Sequence, residues 1–261
     1  MGELTQIRDL TIWKWTSEEW LVFATDNLAG IGELVFDQFT APPEDVGYFT
    51  ARVVLFELLS SGVIPQMIID TMSAGSGGDS YGKRIVAGIR EAVQEAGLPD
   101  GFPITGSSEN NILSPITTLS VTAIGHVFQA AFRPGSVRAG DEVWLVGIPK
   151  AAPHDHVLRM DKTSVSFTQL FDLLAINSVR ETLPVGSRGA IYEAQEMAVT
   201  AGLRFLQSSQ IVHRNVEGIA TKSAGPATAV IVAGRLSYDS RWHNICRQIP
   251  CHQIGQLEGQ S

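Results

Sequence analysis

The apolar positions change their period several times along the chain, and each change marks an element. Residues 7–15 and 20–25 are rich in β-branched and aromatic side chains, and Thr16-Ser17-Glu18-Glu19 separates them, which predicts a hairpin. The second strand reads as ending at Asp26, ahead of Asn27-Leu28-Ala29-Gly30-Ile31-Gly32, a loop whose glycines let a backbone approach a ligand closely. A helix is predicted from Pro43-Glu44-Asp45 to Ser60-Ser61-Gly62, with Pro inside its start and Gly past its end. A strand over 63–71, a Gly/Ser-rich loop over 73–80 and an amphipathic helix follow. In that helix Ile85, Ile89, Val93 and Ala96 share one face, and Gly97 stops it. After a turn at Leu98-Pro99-Asp100-Gly101, residues 106–109 read as a small-residue loop and 115–128 as a long strand. Arg133-Pro134-Gly135 and Ala139-Gly140-Asp141 mark a junction, and 142–146 restarts a strand. The second half reads as helices over 167–182 and 188–202, with strands near 209–213 and 227–233. This order predicts an α+β fold in two subdomains, 1–132 and 133–261.

Composition narrows the class. With 261 residues, 44% of them hydrophobic, the chain can bury a core and is not disordered. Nineteen Lys and Arg against 27 Asp and Glu give a net charge of −8, which argues against a nucleic-acid partner. No apolar run approaches the roughly 18–20 residues that span a bilayer, so no membrane partner is expected. The first residues show neither a signal peptide nor a myristoylation pattern, and two cysteines make no disulfide framework. A cytoplasmic protein is the expectation.

Candidate chemistry sits on a few residues. Glu57 interrupts the apolar run Val53-Val54-Leu55-Phe56-Glu57-Leu58-Leu59 on the side of its helix expected to face the protein. A carboxylate there pairs with a cation such as Arg52 or Arg84, or binds a metal. Asp26, before a glycine loop, suits Mg²⁺ or a simple Asx-turn. Gly106-Ser107-Ser108-Glu109 offers amides, hydroxyls and a carboxylate to a metal–phosphate group, or forms an ordinary turn. Gly77-Gly78-Asp79-Ser80-Tyr81-Gly82-Lys83-Arg84 fits Gly-x4-Gly-Lys, but Arg84 stands where a P-loop needs Ser or Thr. Gly30-Ile31-Gly32 likewise lacks the third small residue of a dinucleotide fingerprint. His243-x2-Cys246-x4-Cys251-His252 matches no usual zinc spacing, and His154-Asp155-His156 reads as a solvated loop or a substrate contact.

The segments together resemble the superfamily of aminoimidazole ribonucleotide synthetase, which includes thiamine-monophosphate kinase, selenophosphate synthetase and the hydrogenase-maturation dehydratase. The resemblance runs from Arg8-Asp9-Leu10 to Ile254-Gly255. Residues 24–33, Gly140-Asp141 with Gly147-x-Pro149, Pro184-Val185-Gly186-Ser187-x-Gly189 and Ser223-Ala224-Gly225-Pro226 look most like its α-ribazole kinase branch. The resemblance implies a homodimer whose N-terminal sheets form a barrel-like interface, a C-terminal α/β sandwich, and Mg-ATP in the cleft along the seam. It implies that Asp26, Glu57 and Glu109 hold Mg²⁺, and that Asn27, Gly30, Gly32, Gly106, Ser107, Ser108 and Asn110 contact the nucleotide. Lys83 would lie near the transferred group, with Asp26 as base or metal ligand. Lys150, Gly186, Ser187 and Arg188 would meet the acceptor, a small molecule. The family's Gly-Asp-Asp-Ala segment is absent, and Gly186-Ser187-Arg188-Gly189 replaces Ser-Asp-Gly, leaving fewer acids for metal. Glu in place of the commoner Asp at position 57 allows contact through water.

The reaction implied is transfer of the ATP γ-phosphoryl group to a hydroxyl, with α-ribazole the first choice of acceptor. The alternatives are thiamine-monophosphate kinase, a ring-forming ligase, or a non-catalytic nucleotide-binding module.

Overall fold

A computed structural model describes every residue except Met1, Ala74, Ser76, Gly77, Asn110, 209–216 and Ser261. It divides into two compact units, Met1–Leu59 with Val63–Ala131 and Ser60–Gly62 with Phe132–Ser261. No helix among the described residues is long and apolar enough to cross a membrane.

The first unit is built on β1 (Glu3–Ile7), β2 (Leu10–Lys14), β3 (Glu19–Ala29), β6 (Ile64–Ser73), β7 (Ile104–Glu109) and β8 (Thr118–Phe128). A short parallel pair, β4 (Ile31–Gly32) and β5 (Phe39–Thr40), leads into α1 (Pro43–Ser60), and α2 (Gly78–Glu95) joins β6 to β7. The sheet order is β1-β2-β3-β8-β6-β7, antiparallel except for the β6–β7 pair. Strands β3, β6 and β7 therefore point the same way and end at the same edge. Alternate β8 residues Leu119, Val121, Ala123 and Val127 are buried, so one face of the sheet is covered and the other is open. Leu58 of α1 packs on that covered face at Gly125. Helices α1 and α2 meet backbone to backbone: a Cβ at Gly47 would collide with the Ile85 carbonyl, and one at Gly88 with that of Glu44. Buried Arg52 stacks 4.0 Å from the Phe56 ring, and Tyr48 Oη donates to Glu95 Oε2 at 2.6 Å.

The hairpin expected over 7–25 is a three-stranded meander, because the chain turns at Arg8, whose φ is +54°. Residues 106–109 are strand rather than loop. Their small polar side chains favour a strand poorly, but parallel pairing from Ile68↔Ile104 to Ser73↔Glu109 supplies the backbone partners.

The second unit holds the antiparallel sheet β10-β12-β9-β13-β11, formed by β9 (Glu142–Val146), β10 (Val179–Pro184), β11 (Leu203–Gln207), β12 (Val230–Gly234) and β13 (Cys251–Gly259). Its helices are α3 (Phe167–Leu174), α4 (Ala190–Thr200), the short α5 (Glu217–Ala220) and α6 (Ser240–Gln248). Val143, Leu145, Leu183, Ile231 and Leu257 pack against Ala194, Met197 and Ala198 of α4. The helix expected over 167–182 stops at Leu174. A capping box of Ser166 and Gln169 opens α3, and Ser178 then donates to Asp239 at 2.7 Å, turning the chain into β10. Partners more than forty residues away decide that strand, so no local period reveals it. The strand expected near 209–213 lies outside the described residues. The strand present is β11, and α6 and β13 had no sequence expectation.

Candidate functional site

The register of the first sheet sets the geometry at its shared edge. One row runs Asp26↔Val121↔Asp70↔Gly106, and the next runs Asn27↔Ser120↔Thr71↔Ser107. Leu28↔Leu119↔Met72↔Ser108 and Ala29↔Thr118↔Ser73↔Glu109 follow. Asp26, Asn27 and residues 106–109 thus share one end of the sheet, with three strand spacings, about 14 Å, from β3 to β7. Because β3 continues to Ala29, Asp26 lies inside the strand and not at its end. Strand alternation then splits the candidates. Asp26 and Ser108 are on the helix-covered face, and Asn27, Ser107 and Glu109 are on the open one.

On the covered face two carboxylates have no counter-charge among the described residues. Burial pushes Asp26 up from its ordinary 3.8 to about 6, against a hydrogen bond from the Asn27 backbone. Asp70 is buried, and its pKa is also raised by burial, with its own backbone amide as the opposing donor. It leans against Gly106, where a Cβ would lie 2.5 Å from Asp70 Oδ1. Asp70 escaped the sequence reading, although an acid inside Met67-Ile68-Ile69-Asp70-Thr71-Met72 is the kind of signal that drew attention to Glu57.

The loop after β3 is clamped from within. Asp37 accepts from the Thr117 amide (2.8 Å), Thr117 Oγ1 (2.7 Å) and the Leu34 amide (2.8 Å). Tyr81 Oη of α2 meets Thr117 Oγ1 at 2.8 Å and accepts from the Glu33 amide at 2.9 Å. Gly32 fits inside this network: a Cβ there would collide with Tyr81 Oη and lie 2.6 Å from Asp37 Oδ2. The Gly30 amide donates to Thr117 O at 3.0 Å, so Gly30 offers close approach rather than a spare donor. Asp37, Tyr81 and Thr117 had no sequence signal, because their roles come from contacts across up to eighty positions.

Other candidates stand apart. Glu109 Oε1 accepts from the amides of Asn111 (2.6 Å) and Ile112 (3.2 Å), closing its own turn. Glu57 precedes Leu58, which packs at Gly125, four residues along β8 from Val121, or about 13 Å by strand rise. Arg84 is bonded to Glu44 and Glu33. Lys83 lines a surface cavity of about 460 Å³ with Gly78, Asp79, Gly82, Arg90 and Ser108. Asn110 lies outside the described residues. Among the described residues no group of three or more His, Cys, Asp or Glu is placed to hold a metal ion.

In the second unit, Gly147–His156 and Pro184–Gly189 are joined through residues 224–228. Ala224 N donates to Gly186 O (3.2 Å), and Lys150 N donates to Thr228 Oγ1 (2.9 Å). The Lys150 ammonium is bound by Asp161 and by Thr163 Oγ1 (2.8 Å). Lys222, overlooked in the sequence, bonds Asp155 at 2.6 Å. Arg188 lies 3.7 Å from the Tyr192 ring centre, and Ser187 is exposed at the entry to α4.

A mixed sheet with acids and a glycine loop at its strand ends, together with an antiparallel α+β unit, is the AIR synthase-like fold. Residues 8–127 match the family model "AIR synthase related protein, N-terminal domain". Thiamine monophosphate kinase from Aquifex aeolicus is similar over 98% of this chain and 91% of that chain, with 15% identity and a TM-score of 0.63. AaThiL complexed with AMPPCP and TMP matches over 98% and 87%, at 15% identity and a TM-score of 0.63. The hydrogenase maturation protein HypE in complex with ATP matches over 92% and 77%, at 13% identity and a TM-score of 0.62. No curated protein matches the chain in sequence.

Proposed function

We propose that this protein is an ATP-dependent small-molecule kinase of the AIR synthase superfamily, acting as a homodimer with Mg²⁺. The observation that carries the reading is the Asp26 carboxylate, desolvated with no counter-charge among the described residues, three residues before the sheet edge where three strands end. ATP and an ATP analogue bound to proteins of this fold support the nucleotide. The donor set fits the ion. Mg²⁺ commonly takes one or two carboxylates and completes its shell with phosphate oxygens and water, so three clustered acids are not required. Asp26 is the first holder, and Asp70, two strands away on the same face, is the second; Glu109 is on the opposite face and Glu57 lies farther along the sheet, so neither reaches that ion directly. Bound there, Mg²⁺ would neutralise charge on the phosphates.

The chain's own residues then divide the work. Asp26 orients the attacking hydroxyl or accepts its proton. Asn27 and Ser107 present an amide and a hydroxyl on the open face. Gly32 and Gly106 keep the backbone low where a Cβ would intrude, and Lys83 brings positive charge to the cavity it shares with Ser108. Positioning and charge neutralisation of this kind account for most of the rate in phosphoryl transfer.

For the acceptor, the thiamine monophosphate kinase structures support thiamine monophosphate as the first compound to test. One observation favours α-ribazole instead: Lys150 and Lys222 are engaged by Asp161 and Asp155, so of the cations named at the acceptor region Arg188, stacked on Tyr192, is the one left for an acceptor phosphate. ADP release from Mg-ATP, measured with each compound separately, tests both. ADP formed with either one supports the kinase reading and selects the acceptor, and none with any small acceptor overturns it.

A further inference from the structure

Helix α2 carries three cations, and the structure treats them differently. Arg84 is bonded to Glu44 and Glu33, whereas the Lys83 and Arg90 side chains make no hydrogen bond or ion pair among the described residues. Both are exposed, and both line the cavity of about 460 Å³ beside Ser108. Asp79 is the one acid on its walls, so the cavity is cationic in a chain whose net charge is −8.

The helix sets the order of these groups. Lys83 and Arg90 are two turns apart, about 10 Å along the axis, so one phosphate cannot meet both. Val86 and Ala87 lie between them and supply an apolar floor. Because α2 runs back from the end of β6 to the start of β7, its first turns lie beside the end of β7, and Arg90 lies farther back. Ser108 is therefore at the Lys83 end. It shares the covered face with Gly106, which pairs with Asp70 and lies two residues, about 7 Å, away.

We propose that this cavity binds a nucleoside phosphate, with its phosphates at Lys83 and Ser108 and its base on Arg90. The inference rests on the kinase reading and adds to it the direction in which the nucleotide lies. Lys83 brings a point charge to phosphate oxygens, and Ser108 brings a hydroxyl donor. At the other end a planar guanidinium stacks on the face of a heteroaromatic ring, as Arg52 does on Phe56 at 4.0 Å and Arg188 on Tyr192 at 3.7 Å. Val86 and Ala87 pack against the sugar. The volume falls within the roughly 300–1,000 Å³ of small-molecule sites. Laid this way, the phosphate end leads toward Asp70 and Asp26. Stacking reads a base by its face, so the site separates nucleotides from bare polyphosphates more sharply than one base from another.

The test measures equilibrium binding to the full chain by calorimetry, with Mg-ADP and Mg-pyrophosphate as probes and no acceptor present. Arg90→Ala should weaken ADP binding by about tenfold and change pyrophosphate binding by less than about twofold. Lys83→Ala should weaken both by at least about tenfold. Arg90→Lys keeps the charge and loses the planar face, so it should match Arg90→Ala toward ADP. Equal loss of both probes in Arg90→Ala, ADP binding unaltered by Arg90→Ala or Lys83→Ala, or full rescue by Arg90→Lys would overturn the proposal. Those results leave the kinase reading standing, because ADP release from Mg-ATP decides it separately. Arg90-dependent ADP binding without ADP release toward any acceptor would instead overturn the kinase reading and retain this site.

Discussion

The two sheets treat their buried acids in opposite ways. In the second unit Asp141 is fully buried, yet it accepts from the Arg138 amide at 2.8 Å and pairs with Arg180 at 3.1 Å. Glu181, equally buried, accepts from the Gly135 amide at 3.0 Å. At Asp161, burial alone would raise the pKa, but hydrogen bonds from Lys150 and Thr163 outweigh it and hold it at about 2. In the first unit burial pushes Asp26 and Asp70 up, with no cation among the described residues opposing it. The difference separates acids that are part of the frame from acids whose lost solvation only a ligand or a proton can replace.

The sharpest way to break this contrast is to exchange the roles. Asp141→Ala should destabilise the protein by about 3 kcal/mol, since it strips a buried partner from Arg180 and an acceptor from a backbone amide. Unchanged unfolding in urea would remove Asp141 from the frame. Asp26→Asn should do the reverse. Turnover of the accepted substrate should drop by at least about 10²-fold, and ligand-free stability at neutral pH should hold or rise by about 1 kcal/mol. A destabilised variant with full turnover would make Asp26 structural. Lys83→Ala should lower turnover by about tenfold and leave the melting temperature alone, as expected for an exposed helix residue. Unaltered kinetics would detach the cavity from the reaction.

The pH dependence tests the same contrast, and its sign differs between the units. Asp26 has a folded pKa above its unfolded 3.8, so the folded state binds the proton more tightly. Ligand-free stability should therefore decline as pH rises from about 4 to about 6, then level off. Asp161 is depressed to about 2, so its contribution is present above pH 4 and is lost as pH falls toward 2. Asp26→Asn should flatten the first limb and Asp161→Asn the second. Retention of both limbs in both variants would deny the two acids these opposite roles.

Several features were legible in the sequence because they are set locally. The period of residues 43–60 and 78–95, with their Pro, Gly and acidic starts, defined α1 and α2, and the Thr/Val/Ile run defined β8. Asp26 and Lys83 drew attention as charges beside small residues, and their roles remain part of the proposal. Other features rested on distant partners. Asp26 continues within a strand because β8 pairs through Ala29, and that single extension turns Asp26 and Asn27 to opposite faces. Residues 106–109 are strand only because β6 lies beside them, and 179–184 only because β12 does. The Asp37–Thr117–Tyr81 clamp joins positions up to eighty residues apart. Helix caps and amphipathic periods are written within one or two turns of chain, whereas strand pairing and the solvation of a carboxylate depend on which distant residues arrive beside it. The sequence alone determined the elements with local signals, and the tertiary structure decided which acids were paired and which were left waiting.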